Sequence, residues 1–139
     1  MVSDNQYENL IKTSVDEMLS AGWVSDFLTL NNKRPVIMMS KIDNDANVIV
    51  NIAEGLNWFE QYLIESGQVR VVKSDETQQE MNPVDLAKGQ SVDFVISANF
   101  EKQVDTSPAI TIFVVSLWSD TSTLPVIVVK KEIKANLSE

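Results

Sequence analysis

Between Pro35 and Val72 the hydrophobic pattern changes period twice, and that double change limits the fold more than any other feature of the chain. PVIMMSKI, residues 35–42, opens on a proline, which is tolerated at the first residue of a strand. The run is too apolar and too short for anything but a buried strand. From Asn47 onward the period becomes helical. Ile52, Leu56, Phe59 and Leu63 fall at spacings of four, three and four, which places all four on one helical face. Burying such side chains is worth roughly 1.5–3 kcal/mol each in transfer terms. Asp45 or Asn47 is placed to cap this helix, and Gly67 to end it in the left-handed conformation of a C′ position. QVRVV then alternates as a strand with Val69 and Val71 on one face. The predicted unit is strand, acidic turn, helix, glycine stop, strand.

With 139 residues, the rest of the chain adds enough for one domain with its own core. No segment approaches the 18 or more apolar residues of a membrane span, and MVSDNQYENL lacks the basic flank and apolar stretch of a signal peptide. The expectation is a cytoplasmic protein, or a periplasmic one whose targeting segment lies upstream of Met1. Twenty acids against eleven bases leave a net charge of −9, a field that repels nucleic-acid phosphates and anionic lipid. Without cysteine, disulfides and thiolate metal sites are excluded. Without histidine, the usual general base, zinc ligand and pH switch are missing together.

Taken in order, residues 4–20 form a first amphipathic helix through Tyr7, Leu10, Ile11, Val15, Met18 and Leu19, with Asp4 or Asn5 as its cap. Trp23, Phe27 and Leu28 belong to a short helical turn folded onto the core, and Asn31-Asn32 turns the chain into the strand at 35–42. The helix at 47–66 and the strand at 68–73 follow. KSDETQQEMNPVDLAKGQS is the most polar stretch; Ser74 suggests the cap of one short helix, and Pro83 opens another that Gly89 ends. Strands are expected at 92–100, 109–119 and 125–134, separated by turns. The strand at 109–119 is apolar on both faces and reads as covered on both sides. The fold class is therefore α+β: residues 1–139 as a single domain, a mixed or antiparallel sheet of four to five strands flanked by helices, in the order α-β-α-β-α-β-β-β.

One motif invites a chemical reading. In DNDANVIVNIAE, Asp43, Asp45, Asn47 and Glu54 take positions 1, 3, 5 and 12 of an EF-hand calcium loop. Position 6 is Val48, however, where the turn calls for glycine, and a strand rather than a helix leads in. Glu54 also lies inside the predicted helix. The reading preferred is an ordinary capped turn, with calcium binding its alternative. No catalytic residue is nominated: a serine nucleophile would need lysine as its base, and no Ser-x-x-Lys occurs. Four glycines supply no phosphate loop, and no cofactor is expected. Trp58 falls about one hundred degrees from the Ile52–Leu63 stripe, with Tyr62 one turn beyond it. Burial of that pair against a neighbouring helix is preferred to an exposed patch. Lys130, Lys131 and Lys134 read as a solvated strand edge.

The run MLSAGWVSDFLTLNNKRPVIMMSKIDN, followed by LNWFEQYLIESGQVRVVKS, resembles the LpoB family of penicillin-binding-protein activators, envelope lipoproteins related in fold to the periplasmic domain of the curli secretion protein. The resemblance rests on Trp23 and Phe27 after the first helix, Arg34-Pro35-Val36-Ile37 opening a strand, and Ser66-Gly67 before Val69, Val71 and Val72. Ser91 to Ile96 and Lys131 to Lys134 match later strands. Asp43-Asn44-Asp45 stands where the family has an Asn-Arg-Thr loop, and Thr121 to Val126 lacks the family's hairpin glycine and tryptophan. The family's lipid-anchoring cysteine is absent from the sequence. The resemblance implies a non-enzymatic, protein-binding module of the cell envelope, periplasmic and associated with the outer membrane if a signal and lipid anchor precede Met1. Its implied partner is a peptidoglycan synthase, a class A penicillin-binding protein. The alternative is a small soluble ligand- or calcium-binding protein.

Overall fold

The computed structural model describes residues 4–89, 92–103 and 110–133. Its centre is the strand–helix–strand unit read from the sequence: β1 (Val36–Asn44), α3 (Ile52–Ser66) and β2 (Arg70–Val72), with β1 and β2 parallel and Ile37 opposite Val71. Ahead of them lie α1 (Asp4–Leu19) and α2 (Trp23–Asn31). After β2 come α4 (Glu76–Gln79), α5 (Pro83–Gly89), β3 (Phe94–Gln103), β4 (Ile110–Trp118) and β5 (Ile127–Ile133). Five strands run in the order β2-β1-β3-β4-β5. β3 lies parallel to β1, and β3–β4–β5 is an antiparallel meander. The protein is thus an α+β domain with a mixed sheet; among the described residues, the expected helical turn at Trp23–Leu28 and the short helix opened by Pro83, both left out of the predicted element order, are full helices.

One face of the sheet carries the main core. Ile37, Met39, Ile96, Phe100, Phe113 and Leu117 meet Ile11, Val15 and Met18 of α1 and Phe59 and Leu63 of α3, all closed to solvent. Four rings run through it, with Phe100 and Phe113 at 4.7 Å, Phe59 and Phe113 at 6.2 Å, and Tyr7 and Phe100 at 6.0 Å. At this spacing aromatic pairs add about 0.5–1.5 kcal/mol each beyond their area. α2 closes the end of the same core: Trp23 donates its indole N–H to the Met18 carbonyl at 2.7 Å and stacks edge-on against Phe94 at 4.9 Å. α5 covers part of the opposite face, where Leu86 and Ala87 bury Met38 and Val95.

Several expectations are corrected. The central helix begins at Ile52 rather than Asn47, capped by Asn51, whose side chain accepts from the Glu54 amide. Residues 47–51 cannot extend it, because Asn47 takes φ 55, and Asn44 clasps Val48 through both its amide and its carbonyl. The buried line of α3 is Gly55, Phe59 and Leu63, with Ile52 and Leu56 half-buried at its edge. α4 is capped by Asp75 in a reciprocal capping box with Gln78, whereas Ser74 turns inward and donates to the Met39 carbonyl. β4 buries Phe113, Val115 and Leu117 on one face; on the other, Val114 is buried while Ile112 and Ser116 stay partly open, with α5 packed at the Trp118 end. Ser91, Ala109, Lys134 and most of the turn at 101–108 lie outside the described residues.

Gly55 is required by packing. A Cβ there would collide with the Tyr7 hydroxyl and come within 2.9 Å of the Ile42 side chain, so the missing side chain is what lets α1 close onto α3. Tyr7 itself is buried and stands at 5.2 Å, edge-on, from Trp58. Burial first, and the Glu54 charge second, push the pKa of its hydroxyl up. Tyr62 also faces α1, donating its hydroxyl to Glu8, and that bond leads the causes raising its pKa to about 12. Trp58 and Tyr62 therefore do pack against a neighbouring helix.

Candidate functional site

The acidic turn after β1 holds the residues singled out for calcium. Asp43 ends up beside Lys41, at 3.4 Å. Asp45 turns the other way and accepts from the Asn99 side chain at 2.9 Å, tying the turn to β3. Asn47 is exposed in its left-handed conformation, and Glu54 sits in the first turn of α3. Among the described residues no three acidic side chains gather into a group that could hold a metal ion. What the turn displays is a hydrogen-bonded strap: Asn44 closes it internally and Asn99 fastens it to the sheet.

A different feature lies on the outward side of α3. There the helix, the end of β2 and α4 enclose a groove of about 310 Å³ with Met39 as its deep apolar wall and Leu56, Glu60, Lys73, Glu76 and Gln79 around it. A second recess of about 460 Å³ continues along the helix and shares Asn57, Glu60 and Lys73 with the first. Its outer rim is Ile64, 56% exposed, and Glu65. The helix places these side chains by its period: Glu60 and Ile64 are one turn apart, each about one hundred degrees round the helix from the Phe59 or Leu63 that precedes it. Burial raises the pKa of the Glu60 carboxyl, and Lys73 only partly offsets this. The combination is an apolar floor under a rim with three carboxylates and one ammonium. Such a surface can pair with a cation and cover an apolar side chain; it offers no nucleophile activated by a base.

A third recess, about 440 Å³, sits at the far end of the core between α2 and the β4–β5 turn. Phe27 and Phe94, edge-on at 5.6 Å, form its floor. Leu30, 83% exposed, Asp120 and Val126 stand at its lip.

Sequence reasoning nominated none of the residues of the α3 groove as functional. The available signal was Glu60 and Ile64 on one helical line facing away from the core, together with Leu56 at the edge of the apolar stripe. Among the described residues no helix is long and apolar enough to cross a membrane.

The fold and its surface define a single α+β domain whose five-stranded mixed sheet is flanked by helices. The family model of the peptidoglycan-synthase activator LpoB matches residues 6–92, and the chain belongs to the LpoB family. The LpoB C-terminal domain from Escherichia coli superposes with a TM-score of 0.59 at 14% identity, covering 89% of this chain and 98% of that one. The corresponding Salmonella enterica domain gives 0.53 at 15% identity, covering 80% and 92%. A lipoprotein from Neisseria meningitidis also gives 0.53, at 16% identity, covering 76% and 85%. At these identities the structures establish a shared fold. No curated protein sequence matches the chain.

Proposed function

We propose that this protein activates a peptidoglycan synthase by contact, performs no chemistry of its own, and acts on the periplasmic side of a bacterial envelope upon a class A penicillin-binding protein. The observation that carries this reading is the family match over residues 6–92, which spans α1 through α5 and so includes the whole strand–helix–strand centre. Two features support it. The surface recesses are open grooves with polar rims, the form of a contact surface rather than of a closed reaction chamber. The net charge of −9 favours a partner with a basic patch and speeds its encounter.

The test is titration of the domain against the periplasmic part of a class A penicillin-binding protein from the same organism, at low and high ionic strength, with glycan-polymerising rate followed in parallel. Binding at low salt that weakens as salt rises, accompanied by a change in rate, is the expected outcome, because exposed charges are screened over about 10 Å at 0.1 M salt. Neither binding nor a rate change at low salt contradicts the reading.

A further inference from the structure

We propose, resting on the activator reading above, that the groove between α3 and α4 is where a segment of the synthase docks, and that this segment presents a lysine or arginine beside an apolar side chain. The groove has a definite sign. Glu60, Glu65 and Glu76 stand against the single ammonium of Lys73. Glu60 makes no ion pair among the described residues, although it is the most enclosed of the three carboxylates. A half-buried carboxylate whose burial the Lys73 charge offsets only in part is stabilised further by an incoming cation. The groove also has an apolar component that folding leaves uncovered: Leu56 is half-buried and Ile64 is 56% exposed. An occupant of purely ionic character would leave these open, and a purely apolar one would strand Glu60 away from water.

Its dimensions suit an extended segment. From Ala53 to Glu65 the helix advances about 18 Å at 1.5 Å per residue, the reach of roughly five residues in an extended chain. A second copy of this protein is a poor occupant, since two surfaces from chains of net charge −9 repel. Nucleic acid and anionic lipid are disfavoured by the same sign. A cationic-apolar stretch of a partner protein satisfies both halves of the groove.

The experiment compares three forms of the domain in the synthase titration: wild type, the double variant Glu60→Gln/Glu65→Lys, and Leu56→Ser, with thermal melts confirming that each is folded. Both variants are expected to weaken binding by roughly tenfold or more, as truncation of central interface residues does. In parallel, a short peptide of alternating lysine and leucine is added to labelled wild-type domain, and a glutamate–leucine peptide of equal length serves as its counterpart. Amide shifts confined to residues 53–65 and 73–79, seen with the lysine peptide alone, support the docking site. If the synthase binds wild type and both variants equally, the groove proposal is overturned while the activator reading stands. If a fourth form, the control Leu30→Ser at the other end of the core, abolishes binding instead, the docking site is there and the proposal is likewise overturned. If wild type fails to bind the synthase at all, the activator reading falls. The peptide then decides the groove alone, and shifts spread over the surface or equal for both peptides would sink it.

Discussion

The two sides of α3 are built from the same fifteen residues and do opposite things. Inward, Phe59 and Leu63 are fully closed to solvent and Gly55 lets Tyr7 press against the helix backbone. Outward, Leu56 and Ile64 remain partly open and Glu60 sits in a groove whose charges are unbalanced. The inner side is closed by packing, and it keeps the buried Tyr7 hydroxyl without a hydrogen-bond partner. The outer side holds apolar area and a carboxylate whose burial Lys73 offsets only in part. Stability and recognition are thus separated by about one hundred degrees around the helix.

That contrast can be broken by mutation, and the inner side should give the largest effect. Phe59→Ala empties a site in contact with Phe113 and is expected to destabilise by about 3–5 kcal/mol in denaturant melts. A loss under about 1 kcal/mol would mean that the ring is not in the core. Gly55→Ala follows, at about 1–3 kcal/mol, since the new methyl must displace Tyr7 or Ile42. Combining it with Tyr7→Phe, which removes the hydroxyl it strikes, should recover part of the loss. Leu56→Ala, one position further round the helix, is expected to cost only about 1 kcal/mol because the side chain is half-exposed already. Equal losses at Phe59 and Leu56 would erase the distinction between the two sides.

Glu60 supplies the smallest and most diagnostic effect. Its carboxyl titrates above its ordinary value when folded, chiefly through burial. The folded state therefore holds this proton more tightly than the unfolded state, and stability falls as pH rises through the window between the two pKa values. Relative to wild type, Glu60→Gln should raise the melting temperature at pH 7 and leave it unchanged in acid below that window. Melting curves of the two proteins across pH 3–7 measure this, and the other carboxylates cancel in the difference. A variant that melts lower than wild type at pH 7 would show Glu60 to be already well paired.

The inner side was largely legible in the sequence, the outer side much less so. Phe59, Leu63 and the Gly67 stop announce a helix between two strands, and Gly67 does take φ 69 as that stop. The phase of the stripe was misread because periodicity counts large apolar residues, and the first of the three buried positions is a glycine. Only the position of Tyr7, far away in sequence, reveals why Gly55 belongs inside. The helix start was misplaced for a related reason: the side chain of Asn44 holds Val48 by two hydrogen bonds, which no propensity expresses. Ser40 is comparable, buried at the register irregularity of β1, where it donates to the Ile96 carbonyl at 3.1 Å. The groove was hidden because its walls come from β1, α3, the chain just after β2 and α4, whose juxtaposition is tertiary. DNDANVIVNIAE, by contrast, spelled out a ligand spacing that the fold spends on a strap, with Asp43 and Asp45 turned to different partners.

The central claim is that this LpoB-family domain acts through the outward side of α3. Hydrogen exchange measured on the domain alone and in the presence of the synthase tests it directly, since bound surfaces slow the opening that exchange requires. The account predicts added protection in residues 53–65 and 73–79, with the buried strands β3 and β4 unchanged. Protection confined to residues 27–30 and 119–126, with none along α3, would contradict it.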